Sequence, residues 1–268
     1  MGHLAVEGDR RIYFEHHPGA KTPVVLIHGW GMSCRVWDPT LSALQAKGHA
    51  VVSFDQRGCG LSDKDFRTAS VDSSGTDVVK LLQHLGLKGV VVNGWSLGGA
   101  VAVSAASQLG RDCVGVVLTG GASPRFVKAH DFQYGGEPGS VIATIAAARE
   151  DRANFFAGLT KVVCAVPQSA DVERWMWSIF MQTSPVADEA LLSLESMDQR
   201  AILAALDVPL LSIVGGKDVF VEPAIARFAA NHARRGQLVE FAECGHAPFL
   251  EAPAKYREAL LKFLNDIR

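Results

Sequence analysis

The ten residues Val90-Val91-Val92-Asn93-Gly94-Trp95-Ser96-Leu97-Gly98-Gly99 leave the chain few ways to fold around them. A β-branched apolar run stops in Gly-x-Ser-x-Gly, and Gly99-Ala100-Val101-Ala102-Val103 then opens a helix-like run. The pattern predicts a strand, a turn too tight for ordinary residues, and a helix. Such an elbow pushes the Ser96 hydroxyl out of the backbone and into a cleft. Side chains at positions 94 and 98 would collide where strand and helix come close, hence glycine at both. The N–H of Leu97 falls at a helix N-terminus, where negative charge is stabilised. Gly-x-Ser-x-Gly also occurs as a plain strand-to-helix turn, so its meaning depends on what the other segments supply.

Those segments alternate. Residues 4–7 and 11–16 read as a hairpin around Gly8-Asp9, a common edge on an otherwise parallel sheet. Residues 23–27 are nearly continuous apolar, as expected of a strand covered on both faces, and end in His28-Gly29-Trp30-Gly31. Helical spacing over 36–47 stops at Gly48, and a second buried strand, 49–54, runs into Asp55-Gln56-Arg57-Gly58-Cys59-Gly60-Leu61-Ser62. Residues 72–85 read as a helix ended by Gly86. After the elbow helix comes a strand at 113–119. This rhythm predicts an α/β fold: a mostly parallel, eight-stranded sheet with helices on both faces.

The rhythm breaks at Gly120-Gly121-Ala122-Ser123-Pro124. Residues 124–206 show helical segments (140–150, 153–166, 170–182 and 187–206) and no convincing strand. Strand, helix, strand and helix then follow at 209–214, 223–235, 238–241 and 252–267. The expected organisation is a core of residues 1–123 and 207–268 with a helical lid, 124–206, inserted in it.

A serine hydroxyl is a weak nucleophile without a base, and the base works best when a carboxylate holds its other nitrogen. His246, in Gly245-His246-Ala247-Pro248, follows the last strand, and Asp218, in Gly215-Gly216-Lys217-Asp218, follows the strand before it. Open α/β sheets bind ligands at the carboxyl ends of their strands. A lone histidine near a C-terminus is usually a surface residue, and an aspartate after Gly-Gly usually a turn residue. Ser96, Asp218 and His246 nevertheless each follow a strand of their own, in the chain order of a serine hydrolase. Acyl transfer also needs two donors for the developing oxyanion, and the N–H groups of Leu97 and Trp30 are the expected pair. His28 reads as a brace for its loop. The glycines of 55–62 lack a phosphate loop's Gly-Lys-Ser/Thr ending, and the segment reads as a turn pinned by Asp55 and Arg57. No cofactor and no metal spacing is visible.

A net charge of −2 in 268 residues gives no electrostatic case for nucleic acid or an anionic membrane. No apolar run is long enough for a bilayer span, and the N-terminal residues lack the apolar stretch of a signal peptide. Five scattered cysteines, Cys34, Cys59, Cys113, Cys164 and Cys244, suggest reduced thiols and a cytoplasmic protein.

His28-Gly29-Trp30-Gly31, Asp55-x-Arg57-Gly58-x-Gly60-x-Ser62, Gly94-x-Ser96-x-Gly98-Gly99, Gly216-x-Asp218 and Gly245-His246 together resemble the landmarks of the α/β-hydrolase superfamily. Within it, His28–Gly31, Gly94–Gly99, Ala122-Ser123-Pro124 and His246–Phe249 are similar to the pimeloyl-acyl-carrier-protein methyl ester carboxylesterases. That resemblance implies a serine carboxylesterase with a four-helix lid, a methyl ester substrate and an acyl carrier partner docking on basic lid residues. The pattern departs at the lid, where seven Lys/Arg stand against ten Asp/Glu. A net acidic lid steers an acidic carrier poorly, so a small-molecule ester is the favoured partner; Arg149 and Arg152 could still form a local basic patch, which keeps an acyl carrier partner open but not favoured. Trp30, Phe155, Phe156, Trp175, Trp177 and Phe249 are the candidates for an apolar acyl pocket. Ser96 argues against the haloalkane dehalogenases and epoxide hydrolases of this superfamily, which use an aspartate nucleophile. Carbon–carbon bond hydrolases, lactonases, perhydrolases, and small-molecule receptors that turn over slowly all keep the serine and stay open at this level.

Overall fold

Residues 1–267 are described by a computed structural model. In chain order its elements are β1 (Gly2–Glu7), β2 (Arg10–His17), β3 (Lys21–Ile27), α1 (Asp38–Ala46), β4 (His49–Phe54), α2 (Val71–Leu85), β5 (Val90–Trp95), α3 (Leu97–Leu109) and β6 (Cys113–Thr119). Five helices follow: α4 (Ser140–Glu150), α5 (Arg152–Val162), α6 (Ala170–Met181), α7 (Ala187–Leu192) and α8 (Arg200–Ala205). Then come β7 (Leu210–Gly215), α9 (Pro223–His232), β8 (Gly236–Phe241), α10 (Pro248–Glu251) and α11 (Pro253–Asp266).

The eight strands form one sheet in the order β1-β2-β4-β3-β5-β6-β7-β8. β1 pairs antiparallel with β2, and β2 with β4; every later pairing is parallel. Strand side chains alternate between the two faces, so a continuously apolar strand serves two cores at once. Val24, Leu26, Val51, Val91, Val117 and Leu211 meet Leu41 and Leu44 of α1 and Tyr256, Leu260 and Phe263 of α11. Their neighbours Val25, Ile27, Val52, Val92 and Val116 meet Val78, Leu81 and Leu82 of α2, Val101 of α3 and Ile225 of α9. Each such aliphatic side chain, once fully buried, contributes about 1.5–3 kcal/mol.

Local signals set the helix ends. Ser70 and Ser73 form a reciprocal capping box at the start of α2, and Gly86, at φ +66°, ends it. The helix expected over 187–206 is broken. α7 passes into a 3₁₀ turn at Ser193–Glu195, and α8 starts afresh at Arg200. Tertiary bonds outweigh helix propensity here. The Glu195 carboxylate accepts from the amides of Gly139 and Val141 at the start of α4. Buried Gln199 donates to the Ala100 carbonyl at 2.9 Å and accepts from the Ser123 hydroxyl at 2.7 Å. α5 likewise stops at Val162, four residues short of expectation, and residues 163–166 turn toward the loop after β8. Among the described residues no helix is long and apolar enough to cross a membrane.

The 55–62 turn is held as its residue types suggested. Asp55 accepts from the amides of Cys34 and Leu61, both at 2.7 Å. Arg57 makes a two-pronged pair with Asp77 of α2, at 2.7 and 2.8 Å, and also reaches Glu7 and Thr68.

Candidate active site

Ser96 sits at φ 57°, ψ −124°, the one non-glycine at positive φ among the described residues. Strain of this kind persists only where its surroundings over-determine it, and here they do. The Ser96 amide donates to the Thr119 carbonyl, and its carbonyl accepts from Gly99 and Ala122. A Cβ on Gly94 would strike the Gly98 carbonyl, and one on Gly98 would lie 2.5 Å from the Ile27 carbonyl oxygen. The two glycines let β5, α3 and β3 meet without side chains between them. At the first turn of α3 the Leu97 N–H has no protein acceptor among the described residues, as helix starts leave their first amides free. The Trp30 amide likewise has none.

β4 and β5 flank β3 on opposite sides, so the chain reverses its direction of advance across the sheet there. At such a switch point the loops after two neighbouring strands part and leave a crevice. The loop after β3 carries Trp30 and the loop after β5 carries Ser96. A Cβ on Gly29 would stand 3.1 Å from the Ser96 Cβ, so the loops touch at that glycine.

His28, fully buried, braces this loop. Its Nε2 accepts from the Gln56 amide at 2.9 Å, which leaves Nδ1 to donate to the Gly29 carbonyl at 2.7 Å. Burial pushes the His28 pKa below its usual 6.5. The unfolded chain therefore takes up a proton that the fold refuses, and stability falls as pH drops below about 6.5 toward the lower folded value. Denaturant midpoints from pH 8 to pH 5 should show this slope, with His28→Asn shallower by up to about 1.4 kcal/mol per pH unit. Parallel curves for the two proteins would refute it.

Asp218 and His246 are brought together from the loops after β7 and β8. The Asp218 Oδ2 accepts from the His246 Nδ1 at 2.7 Å, and Oδ1 accepts from the amides of Phe220 and Val221 at 2.8 and 3.0 Å. Both side chains are buried. Trp95 and Phe220 lie against the imidazole, at 5.5 and 5.3 Å between ring centroids. The Trp95 indole N–H donates to the His246 carbonyl at 2.8 Å, and the His246 amide donates to Val163 at 2.8 Å. With Nδ1 turned to the carboxylate, Nε2 is the free nitrogen. Gly120, at φ +49°, makes room for the pair; its Cβ would lie 3.2 Å from Nδ1 and 3.4 Å from Oδ2. Sequence reading missed this glycine as a site residue, although Gly120-Gly121 at a strand end was its signal.

A model of the alpha/beta hydrolase family matches residues 24–259. The chain belongs to the alpha/beta hydrolase family. It is 30% identical over 238 residues to the pimeloyl-[acyl-carrier protein] methyl ester esterase of Nitrosomonas europaea, covering 87% of this chain and 92% of that one. It is 27% identical to the AB hydrolase superfamily protein YisY of Bacillus subtilis, over 99% of this chain and all of that one. Its fold superposes on an esterase from Exiguobacterium antarcticum with a TM-score of 0.94 at 24% identity, covering 99% of this chain and 100% of that one.

In this hydrolase Ser96 and His246 face one cavity of about 350 Å³ between the sheet edge and the helical insert. Of the six aromatics expected to line it, Trp30 and Phe155 do. The other four are placed elsewhere. Phe156 is buried behind the wall, stacked on Phe180 at 4.3 Å. Phe249 packs between Trp37 and Trp95, under the site. Trp177 uses its indole N–H to tie α6 to the Ala153 carbonyl, and Trp175 packs from the side of α6. Trp95, Phe126, Phe180 and Phe220 line the cavity in their stead. Adjacent helix residues point about 100° apart, so Phe155 reaches the cavity while Phe156 is turned into the core beside it. Which of the two reaches it is a matter of how α5 is rotated against the core.

The insert is pinned down by its own polar groups. Buried Asp188 accepts from the Trp30 indole at 3.2 Å and from Arg149 at 3.0 Å. Arg152 donates to the carbonyls of Phe180 and Thr183.

Proposed function

We propose that this hydrolase cleaves carboxylic esters through an acyl-enzyme, with Ser96 as nucleophile, His246 as base and Asp218 as the group that orients it. The observation that carries the reading is the convergence of Ser96 and the hydrogen-bonded His246–Asp218 pair on one apolar cavity. His246 Nε2 takes the proton from Ser96 Oγ as that oxygen bonds to the ester carbonyl carbon. The Trp30 and Leu97 amides, free of protein acceptors, stabilise the tetrahedral oxyanion. The carbon–oxygen bond to the alcohol then breaks, and the alcohol leaves with the proton from His246. Water, deprotonated by His246, attacks the acyl carbon; the acid departs and Ser96 recovers its proton.

The substrate we propose is a free, uncharged ester with a small to medium apolar acyl group. Among the described residues no Lys, Arg, Asp or Glu lines the cavity. The Nitrosomonas relative bears the name of an esterase for a carrier-bound substrate. Arg149 and Arg152, the local basic pair of this insert, are engaged within it and offer an acidic carrier little. Initial rates on p-nitrophenyl esters from acetate to decanoate test the reading. A maximum at an intermediate chain length, with a fall by decanoate, is expected from an apolar cavity of about 350 Å³. A folded protein that hydrolyses none of them overturns it.

A further inference from the structure

Glu251, on α10, has no part in the reaction as written, yet its carboxylate is among the most heavily used in the molecule. Oε1 accepts from Gly245 at 2.9 Å and Ala247 at 3.2 Å, the amides on either side of His246. Oε2 accepts from Gly245 at 2.8 Å, Ala165 at 2.8 Å and Val166 at 2.9 Å. No cation pairs with it among the described residues. One carboxylate thus grips the loop of the base and, with its second oxygen, the segment of the insert that follows α5.

Two further contacts close the same junction. The His246 amide donates to the Val163 carbonyl at 2.8 Å. Gly245 lacks the Cβ that would stand 2.6 Å from the Ala165 nitrogen, so the two backbones lie against each other. Val163 also lines the cavity. A carboxylate suits this place because all its partners are donors, and an ionised carboxylate is acceptor-only on both oxygens. A glutamine would turn an NH₂ toward at least one set of amides.

We infer that Glu251 is the positioning residue of His246, and that it makes residues 163–166 of the insert part of the mounting of the base. This rests on the role proposed above for His246. A displacement of about 1 Å at a reacting group can cost roughly 100-fold in rate, so the mounting acts on kcat more than on binding.

The test is a double-mutant cycle on p-nitrophenyl butyrate with wild type, Glu251→Gln, His246→Ala and the double variant. Glu251→Gln is expected to lower kcat about 10–100-fold, with KM within about twofold of wild type. In the His246→Ala background the same change is expected to leave the residual rate unaltered, since the group it positions is gone. An equal fold-loss in both backgrounds means that Glu251 acts on the fold at large, and overturns the inference. So does a wild-type kcat in Glu251→Gln while His246→Ala is inactive, and that result leaves the esterase reading standing. A wild-type rate in His246→Ala removes both. If Glu251→Gln does not fold, Glu251→Asp, which keeps the charge but draws it back by one methylene, carries the same cycle.

Discussion

Replacing Ser96 by alanine is expected to lower kcat/KM for ester hydrolysis by about 10⁴–10⁶-fold while leaving the fold intact. The hydroxyl is the attacking atom in the proposed reaction, and alanine offers nothing in its place. The fold should not notice. Ser96 makes its structural bonds through its backbone, to Thr119, Gly99 and Ala122, and alanine keeps all three. The serine side chain also makes no cap bond at the start of α3. The melting temperature should therefore stay close to wild type. His246→Ala is expected to cost a similar factor, and the two changes together little more than either alone, since base and nucleophile act as one unit. Rates measured side by side with thermal melts check this. A Ser96→Ala protein within tenfold of wild type would refute Ser96 as nucleophile.

The largest stability loss is expected at the Arg57–Asp77 pair. Arg57 is 5% exposed and Asp77 0%, and the guanidinium meets the carboxylate through two parallel bonds. Removing one partner of a buried pair strands the other charge, at about 3–5 kcal/mol. Arg57→Met should fall in that range, since methionine fills the space but donates nothing. The loss should depend on pH. Burial already pushes the Asp77 carboxyl up, against the pull of Arg57. Without Arg57 the folded protein holds a proton on Asp77 that the unfolded chain gives up above about 4. The deficit is then largest near neutrality and shrinks as pH falls toward that value. Urea midpoints at pH 5 and pH 8 for the two proteins measure it. A pH-independent deficit, or one under about 1 kcal/mol, would overturn this account. Because the turn it holds packs against the loop after β3, activity should decline with stability, not before it.

Much of this architecture was legible in short stretches. Gly86 marked a helix end because only a residue tolerant of positive φ stands there without strain. Gly94 and Gly98 pointed to backbone-to-backbone contact, and the atoms they spare are now identified as the Gly98 and Ile27 carbonyls. His28 read as a brace, and both its ring nitrogens are engaged by backbone groups. The break at Gln199 was illegible because residues 187–206 are mostly good helix formers with helical apolar spacing. It took the Ala100 carbonyl and the Ser123 hydroxyl, from distant segments, to pull that side chain out of a helix. Glu251 was illegible as a site residue for a related reason: it acts on atoms that only folding brings near.

By itself the sequence determined where the eight strands and most of the helices lie, because continuous apolar runs, helical apolar spacing and the glycines at their ends are local properties. It pointed as well to a tight strand-to-helix turn at Ser96, since Gly-x-Ser-x-Gly follows an apolar run and opens a helix-like one. The tertiary structure alone decided that β3 lies between β4 and β5 and so opens the crevice beside Ser96. It alone set Asp218 at 2.7 Å from His246, and Phe155, not Phe156, in the cavity wall. Those outcomes depend on strand order, helix rotation and long-range hydrogen bonds. They are relations between segments far apart in the chain, and no local pattern encodes them.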